Sequence, residues 1–145
     1  MNFLVIDTNV IISALIKDGL IRKILTNSNV NFIFPEYGLN EIYSYKSEII
    51  NKANIEDNEF DILLLRLFKY IRLVPFDIIY KFKIESDNIM DNIYKEDSVF
   101  IATALAFNCL IWSDDKHFKK QNVVKVLTTR DIINILSKFK KWSSL

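Results

Sequence analysis

The feature that most constrains the fold is an apolar run at residues 3–6 that ends directly in the carboxylate of Asp7. Such a run predicts a buried strand with an acid at its carboxyl end. The pattern recurs at residues 110–113, which are followed by Asp114 and Asp115. In an open parallel sheet, ligands bind outside the carboxyl ends of the strands. Two such strands would place their carboxylates in one crevice, where the charges repel each other unless a cation lies between them.

Apolar runs that predict strands alternate along the chain with segments of helical periodicity. Strands are predicted at residues 3–6, 31–34, 109–113 and 123–127, with a shorter candidate at 72–75. Helices are predicted at residues 9–16, 20–27, 35–53, 58–71, 77–90, 98–108 and 130–139. Thr8 or Asn9 is the expected cap of the first helix. This alternation predicts an α/β fold with a parallel sheet covered on both faces, and residues 1–145 are expected to form a single domain.

Composition excludes several classes of function. Lys+Arg 19 against Asp+Glu 18 leaves a net charge of +1, so any affinity for phosphate must come from a local patch. The single cysteine, Cys109, excludes an internal disulfide, and the single histidine, His117, excludes a His-rich metal site. With only two glycines, the chain lacks the Gly-rich phosphate-binding loops. The start resembles no signal peptide and no apolar stretch reaches the ~18 residues of a membrane span, so a cytoplasmic setting is expected.

The remaining candidates for chemistry are carboxylates with apolar neighbours. Asp7 lies between a buried strand and a helix start, where an acid can also serve as a plain helix cap. Asp115 follows the late strand in a sequence that also fits a turn. Asp97 opens a strongly apolar helix, where an acid also stabilises the helix dipole. Glu96 and Asp91 compete with Asp97 for the same role.

A fourth acid, Glu41, would be an ordinary solvated residue if it stood alone. Together with the others, however, it completes an ordered set of four motifs. These motifs are Leu4-Val5-Ile6-Asp7-Thr8-Asn9, Leu39-Asn40-Glu41-Ile42, Glu96-Asp97-Ser98-Val99-Phe100-Ile101-Ala102-Thr103-Ala104 and Leu110-Ile111-Trp112-Ser113-Asp114-Asp115-Lys116-His117-Phe118. In this order they resemble the PIN domain family, which includes the toxin halves of VapBC toxin–antitoxin pairs. The resemblance extends from Met1 through the last predicted strand.

The resemblance implies a three-layer α/β/α fold around a parallel sheet of four or five strands. It also implies a VapC-type ribonuclease that cleaves single-stranded RNA and leaves 5′-phosphate and 3′-hydroxyl ends. The acids implied to surround Mg²⁺ or Mn²⁺ are Asp7, Glu41, Asp97 and Asp115, with Asp7, Asp97 and Asp115 as metal ligands. Thr8 and Ser113 would support the site. Asp114 and Glu96 stay open as alternatives to their neighbours Asp115 and Asp97.

The chemistry of acids fits this implication. Mg²⁺ takes oxygen ligands and is usually held by a few carboxylates together with substrate phosphate. A bound metal ion lowers the pKa of a coordinated water and shields the charge that develops on the phosphate. A carboxylate that does not bind the metal, Asp97 or Glu41, would orient or deprotonate that water.

Two surface features predict partners. Lys116, Lys119 and Lys120 follow Asp115 closely and would bind RNA phosphates. Phe118 lies among them and could stack on an unpaired base. The alternative is that these lysines form an ordinary solvated charged surface. The helix predicted at 58–71 has an apolar stripe wider than a core face requires, which favours burial against a partner. A homodimer or an antitoxin protein is therefore expected there.

Two other functions fit parts of the pattern. A haloacid-dehalogenase-like phosphohydrolase also begins with a strand that ends in Asp, but it needs a second acid two residues later. Asn9 occupies that position here, and an amide cannot act as a general acid. A PIN-like module that only binds RNA or protein is the non-enzymatic alternative, and the presence of all four acids weighs against it.

Overall fold

A computed structural model describes residues 2–90 and 97–138 of the chain. Within this part, five strands form one sheet: β1 (Phe3–Ile6), β2 (Asn31–Pro35), β3 (Ile71–Val74), β4 (Leu110–Trp112) and β5 (Val126–Leu127). The α-helices are α1 (Thr8–Ile16), α2 (Leu20–Asn27), α3 (Leu39–Ser44), α4 (Lys46–Ala53), α5 (Asp57–Leu67), α6 (Phe76–Ile79), α7 (Lys83–Met90), α8 (Ser98–Phe107) and α9 (Thr129–Lys138). Short 3₁₀ segments lie at Glu36–Gly38, Tyr80–Phe82 and Lys116–Lys120.

The sheet is parallel throughout, in the order β3-β2-β1-β4-β5, which confirms the predicted α/β class. The central strand β1 pairs on one side with β2, where Val5 lies opposite Ile33. On its other side β1 pairs with β4, where Val5 lies opposite Ile111. The order of the strands therefore reverses between β1 and β4. In open α/β sheets, the crevice outside the carboxyl ends at such a reversal is where ligands bind.

Burial along the central strands explains the three layers. Val5 and Ile6 are consecutive and therefore point to opposite faces of the sheet, yet both are fully buried, as are Ile33 and Phe34 in β2. Helices must therefore cover both faces, as is usual for parallel sheets. Helix α1 packs against α2, α3, α4 and α5, whereas α8 packs against α6, α7 and the central strands. Each fully buried large apolar side chain contributes about 1.5–3 kcal/mol to this arrangement.

The helix predicted at 35–53 is wrong in its bounds. Pro35 ends β2 in an extended conformation, and helical structure follows as a 3₁₀ turn, then α3 and α4 with a break at Tyr45. The turn brings the backbone of Gly38 against the buried ring of Phe34, where an added Cβ would lie 2.6 Å from the ring carbon Cζ. The absence of a side chain at Gly38 therefore permits this close approach, directly before α3 begins.

One further helix is shorter than predicted, and another is divided into segments. Helix α5 ends at Leu67, and Ile71 begins β3, because residues 68–70 turn the chain back towards the sheet. The apolar pattern alone does not distinguish helix from strand at Ile71, since this side chain would reach the core in either conformation. The predicted helix at 77–90 consists of α6, a 3₁₀ turn and α7. No helix in residues 2–90 and 97–138 is long and apolar enough to cross a membrane.

The last strand is shorter than its predicted span of 123–127. Only Val126 and Leu127 pair with β4. In the loop before them, the side chain of Gln121 forms hydrogen bonds with the backbone. Its Nε2 donates to the carbonyl of Val124, and its Oε1 accepts from the amides of Val123 and Val124. Helix α9 begins at Thr129, one residue earlier than predicted, and the predicted end at residue 139 lies outside the described residues.

Candidate metal centre

Asp7 lies at the carboxyl end of β1, and its backbone amide donates to the carbonyl of Trp112 in the adjacent strand β4 (3.2 Å). Its side chain is 3% exposed and caps α1, because Oδ1 accepts from the amide of Val10 at 3.0 Å. The prediction that Thr8 or Asn9 caps this helix is therefore wrong. The second oxygen, Oδ2, accepts a short hydrogen bond from the hydroxyl of Ser113. Asp7 thus joins the two strand ends that flank the reversal of the sheet.

Burial raises the pKa of the Asp7 carboxyl from 3.8 to about 6. The hydrogen bonds from Ser113 and Val10 lower this pKa but do not offset the desolvation, and the charges of Asp115 and Asp114 raise it further. Ionisation of the buried Asp7 carboxyl is therefore unfavourable in the folded protein. A cation beside it would reverse that balance, since a bound metal ion is the largest charge in its site.

The residues after β4 direct two neighbouring acids to different places. The hydroxyl of Ser113 accepts from the amide of Asp115 at 3.0 Å, and Asp115 lies at the edge of a cleft together with Asp7. Asp114 instead accepts from the amide of Thr129 at 2.7 Å and from its hydroxyl at 2.5 Å, at the start of α9. Geometry therefore favours Asp115 over Asp114 as the acid that faces the cleft.

The cleft has a volume of about 180 Å³ and collects side chains from four separate parts of the chain. Asp97, half-buried, enters from the start of α8, and Glu41, exposed, enters from the first turn of α3. The lining residues are Asp7, Thr8, Asn9, Glu41, Tyr45, Asp97, Phe100, Asp115, His117 and Phe118. The structure thus brings together all four acids that the motifs singled out.

These residues fit a divalent cation. Ligand atoms of Asp97, Asp115 and His117 all lie within 4.8 Å of one another. Carboxylate oxygens are the ligands that Mg²⁺ and Mn²⁺ accept most readily, and imidazole suits several transition-metal ions. Four acids around so small a cleft also repel one another, which a cation would relieve.

His117 and Tyr45 line the cleft but were not among the predicted site residues. The single histidine was expected only to exclude a His-rich metal site, although His117 lies within the last of the four motifs. Its position two residues after a strand-end acid was the signal that could have identified it. Tyr45 carried no such signal, because it enters the cleft only through the break between α3 and α4.

Of the four residues predicted to bind RNA, only Phe118 lines the cleft. The side chains of Lys116, Lys119 and Lys120 are exposed on the 3₁₀ segment beside it, and Nζ of Lys119 lies 4.0 Å from a carboxylate oxygen of Asp131. Phe118 is 1% exposed and packs edge-on against Phe100, so its expected role as a surface platform for a base is wrong.

The last two alternatives to Asp97, Glu96 and Asp91, lie outside the described residues. Cys109 is half-buried, and desolvation raises the pKa of its thiol to about 11, so it stays protonated near neutral pH. Trp112 is fully buried in the core.

Comparison with known proteins agrees with this geometry. The family model of the PIN domain matches residues 5–137. No curated protein sequence matches the chain. Among solved structures, the fold is similar to VapBC2 from Rickettsia felis, crystallised with a DNA fragment from its promoter, with a TM-score of 0.67 and 15% identity over 87% of this chain and 98% of that one.

Two further structures share the fold. PAE2754 from Pyrobaculum aerophilum has a TM-score of 0.63 and 9% identity over 95% of this chain and 90% of that one. FitAcB from Neisseria gonorrhoeae has a TM-score of 0.61 and 17% identity over 86% and 96%. At such identities these likenesses concern the fold alone. The family match, in contrast, spans the strands, the cleft and all four acids, so the chain belongs to the PIN domain family.

Proposed function

We propose that the protein is a divalent-metal-dependent endoribonuclease that cleaves single-stranded RNA. The observation that carries this proposal is the convergence of Asp7, Glu41, Asp97 and Asp115 on one small cleft at the reversal of a parallel sheet. PIN domains are generally nucleases, which supports hydrolysis of a phosphodiester bond. Mg²⁺ or Mn²⁺ is the proposed cofactor, since both accept carboxylate oxygens.

The acids would divide the work by their positions. Asp7, Asp97 and Asp115 would hold the metal ion, which when bound lowers the pKa of a coordinated water and shields the charge on the phosphate. Ser113 holds the Asp7 carboxylate and the Asp115 backbone in place through its one hydroxyl. Glu41, which is exposed at the mouth of the cleft, would orient the attacking water or accept its proton. Cleavage on this route leaves 5′-phosphate and 3′-hydroxyl ends.

RNA would approach along the exposed lysines beside the cleft. Lys116, Lys119 and Lys120 share one 3₁₀ segment with His117, which lines the cleft of the proposed metal site. Lysines that neutralise phosphates provide affinity that is independent of sequence and weakens with salt. A local patch is needed because the net charge of the chain is only +1.

A direct assay tests the proposal. Single-stranded RNA incubated with the protein and Mn²⁺ is expected to yield fragments with 5′-phosphate ends, and EDTA is expected to abolish cleavage. A generic phosphomonoester serves as the control substrate and should stay intact. Hydrolysis of the phosphomonoester instead of RNA would indicate a phosphohydrolase. Binding of RNA without cleavage at saturating Mn²⁺ would indicate a module that only binds.

We further propose that the protein is a VapC-type toxin that acts in the cytoplasm and is held by an antitoxin protein. The motifs that resemble VapBC toxins support this role. Similarity of the fold to a VapBC protein and to FitAcB supports it as well. A toxin of this kind requires a surface for its partner in addition to the catalytic cleft.

Helix α5 offers an apolar outer face for such assembly, formed by Ile62 and Leu65, which are 46% and 71% exposed. Apolar patches on soluble proteins often mark interfaces, and a homodimer is the expected state of the isolated chain. Leu65→Glu should convert the dimer to a soluble monomer in sedimentation at micromolar concentration. Asn122→Glu, which introduces the same charge at an exposed position of the loop before β5, is the control and should stay dimeric. A wild-type chain that sediments as a monomer would contradict the expectation.

A further inference from the structure

His117 occupies a defined place at the edge of the cleft. It lies in the 3₁₀ segment Lys116–Lys120, whose N-cap is Asp115, and its backbone amide donates to Oδ1 of Asp115 at 2.9 Å. The imidazole Nδ1 lies 3.0 Å from the same oxygen. Backbone and side chain of one residue therefore converge on one carboxylate oxygen. Local geometry holds the half-buried ring there, because the turn that caps the segment also directs the side chain.

The spacing of these atoms suits a shared metal ion. In an octahedral complex with bonds of about 2.1 Å, adjacent ligand atoms are about 3.0 Å apart and opposite ones about 4.2 Å. The 3.0 Å between Nδ1 of His117 and Oδ1 of Asp115 matches an adjacent pair. The ligand atoms of Asp97, Asp115 and His117 lie within 4.8 Å of one another, so small side-chain movements would bring all three to one ion.

A buried hydroxyl provides an independent sign that the cleft holds a ligand. Thr8 lines the same cleft and is 4% exposed. Within residues 2–90 and 97–138, its Oγ1 has no hydrogen-bond partner. A buried hydroxyl without a partner is destabilising, and one explanation for such a group in a native protein is a water or ion that binds there. A hydrated metal ion in the cleft would supply water to this oxygen.

We propose that His117 is a metal ligand beside Asp97 and Asp115, and that it makes the site prefer a transition-metal ion such as Mn²⁺ over Mg²⁺. The inference rests on the proposed metal-dependent function and specifies its cofactor. Mg²⁺ is a hard ion that favours oxygen ligands and keeps its waters. Nitrogen ligands shift the preference of a site towards first-row transition metals. A site of carboxylates alone would lack this discrimination.

The single histidine of the chain makes a direct test available. In tag-free protein loaded with Mn²⁺, electron spin-echo envelope modulation is expected to show the ¹⁴N coupling of a bound imidazole, which only His117 can supply. His117→Asn should lose this signal. By calorimetry with each metal alone, the substitution should weaken Mn²⁺ binding at least about tenfold and Mg²⁺ binding much less. Asn122→Ala, at an exposed position in the same loop, is the control and should change neither affinity.

The outcomes separate this inference from the proposed function. Absence of the nitrogen coupling in wild-type protein with Mn²⁺ bound would overturn the role of His117, as would a ratio of Mn²⁺ to Mg²⁺ affinity that His117→Asn leaves unchanged. Failure to bind Mn²⁺ would overturn it as well. A clear nitrogen coupling in a protein that does not cleave RNA would support the ligand and refute the ribonuclease.

Discussion

Asp115→Asn is expected to lower the rate of RNA cleavage at least about a thousandfold, whereas Asp114→Asn should retain most of it. A metal ion contributes several kcal/mol of charge stabilisation in the transition state, and each 1.36 kcal/mol corresponds to about tenfold in rate. Asp115 lines the cleft and lies beside His117. Asp114 accepts both of its hydrogen bonds from Thr129, away from the cleft. Because Asp114 and Asp115 are adjacent residues of the same type, the two substitutions form a matched pair that differs only in which carboxylate is removed.

The measurement is cleavage of single-stranded RNA at saturating Mn²⁺, with circular dichroism to check that each variant is folded. Asp7→Asn should behave like Asp115→Asn, since both carboxylates lie in the cleft. Equal activity of the two neighbouring variants would refute the assignment of Asp115. A folded Asp7→Asn protein with wild-type cleavage would refute the metal site as a whole.

In the absence of metal, Asp7→Asn is expected to be more stable than the wild-type protein near pH 8, about two pH units above the pKa of the buried Asp7 carboxyl. Burial raises that pKa from 3.8 to about 6. Between these values the unfolded chain has lost the proton while the folded protein retains it, so the free energy of unfolding falls as pH rises. Above pH 6 the full cost, about 3 kcal/mol, is present. An amide at this position avoids that cost.

Thermal melts in EDTA across this pH range measure the effect. The melting temperature of Asp7→Asn should exceed that of the wild-type protein by several degrees at pH 8, and the difference should shrink towards pH 4, since each kcal/mol corresponds to about 2–4 °C in a domain of this size. The Asn oxygen can still accept from the amide of Val10, so the cap of α1 is retained.

Metal should reverse the order of the two proteins. Saturating Mn²⁺ is expected to raise the melting temperature of the wild-type protein and to raise that of Asp7→Asn far less, because a ligand stabilises only the state that binds it. A variant that melts below the wild-type protein in EDTA, with equal responses of both to Mn²⁺, would make Asp7 a structural cap alone.

Much of the fold could be predicted from the sequence because burial imposes a regular pattern of apolar residues on each helix and strand. The apolar run before Asp7 and its counterpart before Asp114 predicted two strands that end in acid, and β1 and β4 do lie side by side. The alternation of strands and helices predicted a parallel sheet. The order of the acidic motifs, through its resemblance to the PIN domain family, predicted which four carboxylates form the candidate site. All these signals are local patterns or their sequence order.

The tertiary structure determined the features that leave no periodic pattern in the sequence. Whether Asp114 or Asp115 faces the cleft depends on the backbone of the loop after β4, where the Ser113 hydroxyl directs one acid inward and Thr129 captures the other. The same loop brings His117 onto the Asp115 carboxylate. The raised pKa of Asp7 depends on the folded sheet as well, because burial of the carboxyl causes the desolvation. Periodicity reports which segments are buried, whereas the direction of a side chain beyond a strand end depends on contacts that only folding creates.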